Sequence, residues 1–212
     1  TKMSAMDALT DTAKVIKRAI KWGHPAIAIT DHGVVQAFPD AAKTADDLKK
    51  KQGIDIKVIY GMEGYVFDDE GLIDEEGNID YKSRPTNHII LLAATQEGMK
   101  NLYKLVSFSH LDYFYKKPRL PKSVINKYRD GLIIGSACEA GELYQAFYHQ
   151  RPEAEIRKIA GFYDYFEIQP LINNRFLTED VTEGGKYPDR RRLTNDDLMD
   201  INRSIVALGE EM

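Results

Sequence analysis

The stretch AIAITDHGVVQAFPD, residues 26 to 40, decides the fold class of this chain. Its first five residues form a continuous apolar run between Pro25 and Asp31, which is typical of a strand buried on both faces. Residues 36 to 52 then carry a helical pattern that ends near Gly53. A buried strand followed by a helix predicts a βα unit in a mainly parallel sheet.

The same alternation of strand and helix continues along the chain. Further strands are predicted at 57–67, 88–94, 131–138 and 163–170, and helices at 7–22, 96–107, 140–149, 152–161 and 194–209. The first helix has Asp7 or Thr10 as its predicted N-cap. The pattern predicts an α/β fold, with an open doubly wound sheet and a closed barrel as the two alternatives.

Two regions break this rhythm and are predicted to be loops within a single domain over residues 1–212. Residues 68–86 are acidic and contain EEGN, a sequence typical of an exposed turn. Residues 172–193 are polar and are predicted to form a long loop. Neither region has the periodicity of a packed element.

Composition limits the classes of function. With 43% hydrophobic residues among 212, the chain can bury a core, and its single cysteine excludes an internal disulfide framework and fits a reducing cytosol. No apolar run approaches the roughly 20 residues of a membrane span, so a cytoplasmic protein is expected. The net charge of -4 means that any nucleic-acid contact comes from local basic runs, such as residues 116–122 and 190–192. Such runs are more often simply solvated surface.

Polar residues at the predicted strands could form a metal site. His32 follows the first strand, Glu63 lies inside an apolar strand, His88 opens the next strand and Cys138 ends a later one, while Asp7 lies near the first helix. Strand ends are where loops converge to build sites in α/β folds. Imidazole, carboxylate and thiolate groups are ligands for zinc, and carboxylate-rich sets also accept manganese or iron.

Each of these residues also has a purely structural interpretation. Asp31 is more often a helix cap or turn residue than a ligand, and Cys138 alone is more often a small buried hydrophobe. His88 could be a hydrogen-bonded core histidine. Glu63 is harder to explain in this way, because an unpaired buried carboxylate costs several kcal/mol. Structural roles are predicted for the remaining histidines, which are His24, His110 and His149.

The chain resembles a known family across nearly its whole length. The runs that carry the resemblance are SAMDA, WGHPAIAITDHGVVQAFPDA, VIYGMEGYVFDD, HIILLAATQEGMKNLYKLVSFSHLDYFY and GLIIGSACEAGEL. They resemble the PHP (polymerase and histidinol phosphatase) domain of bacterial DNA polymerase III alpha subunits, most closely the PolC type. The resemblance implies a distorted (β/α)7 barrel with up to three metals at one rim. It also implies zinc or manganese as the metal and, as ligands, Asp7, His32, Glu63, His88 and Cys138.

The sequence departs from the family pattern in two ways. The family's opening His-x-His would precede Thr1 and its closing Asp/Asn-x-His would follow Met212, so the barrel is expected to lack its first and last strands. The metal site is accordingly expected to be incomplete. In the PolC type an exonuclease domain is inserted near residues 68–86, where this chain has a short acidic loop. A further requirement concerns His88, which can reach the common rim only if its strand runs antiparallel or irregularly.

The resemblance implies a role in DNA replication, as the PHP domain of a PolC-type polymerase. The domain would be a metal-binding, phosphoesterase-like scaffold with 3'–5' exonuclease activity in the intact parent and no activity as this fragment alone, or else a non-catalytic structural module. A histidinol-phosphatase-like enzyme is a third alternative. Polymerisation, a nucleotidyltransferase reaction, would reside elsewhere in the parent. The implied partners are DNA bound through the parent, other domains of the alpha subunit and replisome proteins, with no membrane.

Overall fold

The structure is a computed structural model that describes residues 1–4, 7–72, 74, 76–179 and 191–212. The chain divides into two compact units, Thr1–Ile134 and Gly135–Met212, and each is described by itself. Strands and helices alternate along the chain, so the predicted α/β fold class is confirmed. The single domain over residues 1–212 stays a prediction.

The first unit carries the sheet. Its strands are β1 (Ala26–His32), β2 (Lys57–Phe67), β3 (Asn87–Ala93), β4 (Phe114–Tyr115), β5 (Lys117–Pro121) and β6 (Leu132–Gly135), the last of which reaches the boundary between the units. Its helices are α1 (Thr12–Lys21), α2 (Phe38–Gln52), α3 (Gln96–Leu111) and α4 (Lys122–Lys127).

The sheet is mixed rather than mainly parallel, which corrects the prediction. Its order is β4-β5-β2-β3-β6, and β1 also pairs with β2. Strands β1 and β5 both run parallel to β2, whereas β3 runs antiparallel to it. The antiparallel pair arises because the 68–86 connection between β2 and β3 has no helix among its described residues. Without a crossover helix, the chain turns back and β3 pairs with β2 in the opposite direction.

The long strand β2 organises the sheet. The first seven residues of β2 pair with β1, and residues 65–67 pair with β5. Because β3 pairs with β2 over residues 61–66, β1 and β5 must lie end to end along the opposite edge of β2. The end of β1 and the start of β5 therefore meet beside the middle of β2.

The two faces of this sheet differ in character. One face is a dry core that contains Ile29, Met62, Ile89, Leu91 and Leu120, none of which is more than 2% exposed. Since side chains alternate between faces along a strand, His32, Glu63 and Tyr65 lie on the opposite face. These three side chains are half-buried, so this part of the second face is accessible to a ligand.

Most predicted helices are present, with shifted ends. Helix α1 is capped by Asp11, whose carboxylate accepts a hydrogen bond from the Ala13 N–H at 3.1 Å, so the caps predicted at Asp7 and Thr10 are wrong. Asp11 has the extended backbone that an N-cap requires, and Asp7 lies in a turn further upstream. Helix α2 ends at Gln52 with Gly53 as its C-cap, near the predicted end.

The second unit is mostly helical. It contains α5 (Glu142–Tyr148), α6 (Glu153–Ala160), a 3-10 helix (Leu171–Thr178) and α7 (Asn195–Glu211). Its core is a cluster of aromatic and aliphatic side chains: Tyr144, Tyr148, Leu177, Leu193, Leu198, Ile201 and Ile205. A capping box at Thr194 begins α7.

Two predictions in the second unit need correction. The strand predicted at 163–170 is reduced to an isolated bridge between Gly135 and Tyr165, since no continuous ladder forms along it among the described residues. The loop predicted at 172–193 begins with most of the 3-10 helix, because Leu177 packs into the helical core, and residues 180–190 lie outside the described part of the chain. No helix in the part of the chain that the structure describes is long and apolar enough to cross a membrane.

Candidate metal centre

Strand register brings three of the predicted ligands to one face of the sheet. His32 pairs with Glu63 across the parallel strands, and Tyr65 pairs with His88 across the antiparallel strands. Because Glu63 and Tyr65 are two residues apart in β2, both pairs project from the same face. The antiparallel direction that His88 required is thus confirmed.

The three side chains are close enough to share one ion. His88 Nδ1 lies 2.5 Å from Glu63 Oε1, and His32 Nδ1 lies 3.8 Å from the same oxygen. One donor atom from each of the three residues falls within 4.8 Å of the other two. All three side chains are half-buried, so the site is reachable from solvent but held by strands.

The chemistry of this group fits a divalent metal. His32 Nδ1 is buried and has no hydrogen-bond partner among the residues that the structure describes. A buried imidazole nitrogen without a partner carries a desolvation cost that a bound ion would remove. Two imidazole nitrogens and one carboxylate oxygen match the donor set of three-ligand zinc sites.

Asp7 lies at the open edge of the cluster. Its Oδ2 is 3.6 Å from His32 Nε2, and its side chain is 60% exposed. His32 therefore stands between two carboxylates, with one ring nitrogen facing each. The role of Asp7 as a ligand stays a prediction.

Cys138 belongs to the second unit. It lies in the loop between β6 and α5 as a half-buried side chain outside any disulfide, and its carbonyl accepts a hydrogen bond from the Gly141 N–H. The other four predicted ligands are all in the first unit. The assignment of Cys138 as a ligand stays a prediction.

Asp31 supports the site from the core face of β1. It is 1% exposed and accepts hydrogen bonds from the Ser4 hydroxyl at 2.7 Å and from the amino and hydroxyl groups of Thr1. Ser4 Oγ in turn accepts the His32 N–H at 3.1 Å. The helix-cap interpretation of Asp31 is wrong, because the residue at the N-cap of α2 is Ala37, and Asp31 instead ties the N-terminal segment to His32.

The loop after His32 is held by His110 and by a close backbone approach. His110 Nε2 lies 2.8 Å from the Gly33 carbonyl oxygen, and its ring stacks on Phe114. Gly33 has φ +66°, and a Cβ at this position would lie 2.5 Å from Pro118 Cγ. The structural role predicted for His110 is borne out, and only glycine fits at residue 33 without displacement.

Two neighbours of the cluster were not predicted as part of this site, although one of them, Lys117, lies in the basic run 116–122. The Tyr65 ring lies 6.2 Å from the His32 ring and 5.3 Å from the His88 ring, and Lys117 Nζ lies 4.3 Å from its centroid. Burial, and then the charges of Asp7 and Glu63, raise the pKa of Tyr65. The i,i+2 spacing from Glu63 could have indicated Tyr65, whereas Lys117 depends on strand β5, which the sequence did not predict.

The fold and site define an α/β protein with a carboxylate–imidazole centre of the kind that binds divalent metals. The model of the PHP domain family matches residues 1–170, so the chain belongs to the PHP domain family.

Its relatives include much longer proteins. The chain is 44% identical over 205 residues to the PolC-type DNA polymerase III of Clostridium perfringens, which covers 94% of this chain and 13% of that protein. It is 38% identical over 181 residues to the PolC-type enzyme of Caldanaerobacter subterraneus, covering 83% of this chain and 12% of that protein. The chain thus spans only a small part of the curated relatives that it matches.

A solved structure is also similar. It is that of a protein assigned as a metal-dependent phosphoesterase from Bifidobacterium adolescentis, with a TM-score of 0.45 and 13% identity over 96% of this chain and 92% of that one.

Proposed function

We propose that this chain is the PHP domain of a PolC-type replicative DNA polymerase, and that in the intact polymerase its metal centre hydrolyses phosphodiesters from a DNA 3' end. The observation that carries the proposal is the convergence of His32, Glu63 and His88 within 4.8 Å on one half-buried face. Identities of 38 to 44% with PolC-type polymerases support the replicative context. DNA, the other polymerase domains and replisome proteins in the cytoplasm are the proposed partners and setting.

The three residues would hold the ion from neighbouring strands. A zinc or manganese ion at such a site supplies Lewis acidity and lowers the pKa of a bound water. Glu63 lies on the central strand, and the two histidines flank it from β1 and β3, so backbone pairing fixes all three. Asp7, an exposed carboxylate whose Oδ2 lies 3.6 Å from His32 Nε2, would add a further ligand from the solvent side.

The experiment titrates metal-free protein with Zn²⁺ and Mn²⁺ by calorimetry and then measures digestion of a 3'-labelled oligonucleotide. His32→Ala and Glu63→Gln should each lower the metal affinity by at least about 10-fold and abolish digestion with it. The matched control is His24→Ala, which removes an exposed histidine that contacts Trp22. This control should bind metal and digest DNA like the unmodified chain.

Each outcome separates the alternatives. Equal metal affinity in His32→Ala and His24→Ala would overturn the metal centre. Metal binding without DNA digestion would contradict the hydrolytic role and favour a structural module of the polymerase. Turnover of histidinol phosphate without DNA digestion would contradict the polymerase assignment.

A further inference from the structure

We infer that Lys117 binds a phosphate group of the DNA strand on which the metal centre acts. The inference rests on the proposed function and adds a residue that recognises the substrate. It is carried by the position of Lys117 in the sheet, by its contact with Tyr65 and by the charge of the site.

Strand register directs Lys117 toward the metal centre. Arg119 of β5 pairs with Tyr65 of the parallel strand β2. Lys117 lies two residues before Arg119 on β5, so its side chain projects from the same face as Tyr65. The end-to-end arrangement of β1 and β5 also brings the start of β5 next to the loop that follows His32.

The side chain of Lys117 is held against the aromatic wall of the site. Its Nζ lies 4.3 Å from the centroid of the Tyr65 ring, well within cation–π range. The same ring is stacked on His32, with an interplanar angle of 16°. The ammonium group is thus one ring away from the candidate ligands, in a location set by packing.

The backbone on both sides of Lys117 is fixed. Lys116 forms the turn between β4 and β5 with φ +61°, a conformation that non-glycine residues adopt only where the surroundings impose it. On the other side, Pro118 lies so close to Gly33 that a Cβ there would be 2.5 Å from its ring. Lys117 is therefore positioned by the same contact that fixes the loop after His32.

The other cations of the basic run 116–122 have different roles. Arg119 is buried, and its guanidinium donates hydrogen bonds to the carbonyls of Tyr81 and Arg84. Lys122 Nζ lies 3.6 Å from Asp68, and Lys116 lies over Tyr115. Of this run, Lys117 is the cation whose contact with the Tyr65 ring associates it with the cluster.

The charge of the site calls for such a cation. The carboxylates of Asp7 and Glu63 offset the two charges of a divalent ion, so a loaded site with neutral histidines would present no net charge to an anionic substrate. An ammonium group at the edge restores a positive potential, and lysine binds phosphate as a point charge. Because the whole chain has a formal charge of -4, binding of an anionic DNA strand depends on local cations such as Lys117.

The test measures binding of a fluorescent oligothymidylate with phosphorothioate linkages, which resists hydrolysis, to the metal-free and Mn²⁺-loaded chain. Lys117→Gln should weaken binding by about 10-fold, as for a lost hydrogen bond to a charged group. It should also lower the slope of log K against log salt by about 0.7, the value for one single-strand phosphate contact. Lys117→Arg should restore both quantities.

Lys127→Gln is the matched control. Lys127 is an exposed lysine whose Nζ lies 5.7 Å from the Tyr128 ring, so its removal also deletes a lysine–tyrosine contact. Binding and salt slope in this control should equal those of the unmodified chain. A purely structural role for Lys117 would change thermal stability without changing the salt slope, and that result would overturn the inference.

The two proposals can fail separately. Calorimetry should give the same Mn²⁺ affinity for Lys117→Gln as for the unmodified chain. If the unmodified chain binds metal and Lys117→Gln binds DNA equally well, only the Lys117 inference is wrong. If the unmodified chain binds no metal, the proposed function is wrong, and the metal-free titration still decides the role of Lys117. Inorganic phosphate that binds as tightly as the oligonucleotide would overturn the assignment to a DNA strand.

Discussion

Replacing Gly33 by alanine should destabilise the first unit more than replacing a glycine whose new Cβ would contact no other atom. The left-handed backbone of residue 33 costs alanine about 1–2 kcal/mol. The new Cβ would also lie 2.5 Å from Pro118 Cγ, and overpacking of this kind costs about 1–3 kcal/mol because a proline ring cannot rotate away. The smaller entropy of the unfolded alanine variant returns about 0.4–1 kcal/mol. The expected net loss is about 2–4 kcal/mol.

Gly23→Ala isolates the steric part of this loss. Gly23 has φ +78°, and no atom lies within 4 Å of the Cβ that alanine would add. Gly23→Ala therefore has the same backbone and entropy effects as Gly33→Ala but not the steric contact with Pro118. Urea unfolding of both variants, followed by circular dichroism, should give a difference of about 1–3 kcal/mol with unchanged m-values. Equal destabilisation in the two variants would refute the close approach of Pro118 to Gly33. Gly33→Ala should also weaken Zn²⁺ binding, since residue 33 directly follows His32.

Two other variants test features outside the metal site. Arg119→Met should lower the free energy of unfolding by about 2 kcal/mol, because it removes charged hydrogen bonds to the carbonyls of Tyr81 and Arg84. Trypsin should then cleave faster after Arg84. The control is Arg203→Met, which removes only an exposed ion pair, and equal cleavage rates in the two variants would contradict the anchoring role of Arg119. Burial raises the pKa of Tyr144 to about 12, so only the unfolded state loses this proton just above pH 10, and stability should fall by about 2–3 kcal/mol between pH 10 and 12. Urea unfolding of Tyr144→Phe should show a smaller alkaline loss than the unmodified chain, and parallel curves would exclude the effect.

Strands with a strong local pattern could be located from sequence. The predicted strand at 57–67 coincides with β2, because its apolar run is bounded by polar residues and an acidic turn region. Strand β5, by contrast, has the sequence KPRLP, with two prolines and two cations in five residues. Its strand conformation arises from pairing with β2, a tertiary interaction that no local propensity reveals.

The site was predictable to the extent that its residues lie on recognisable strands. Glu63 and His88 lie in two predicted strands, and His32 follows a third. The family resemblance indicated all three as ligands. Their convergence needed the antiparallel direction of β3, which apolar periodicity does not encode. Lys117 could not be assigned, since its neighbour Tyr65 is more than 50 residues away in sequence.

The antiparallel pairing of β2 and β3 also determines what the segment between them can become. Val66 and Asn87 are paired residues, so the 68–86 connection leaves and re-enters the sheet at adjacent points. A connection whose two ends are already side by side can be lengthened at a cost that grows only with the logarithm of its length. An entire additional domain can therefore be inserted there without shifting Glu63 or His88. The sheet can hold these two residues in the same positions with or without an inserted domain.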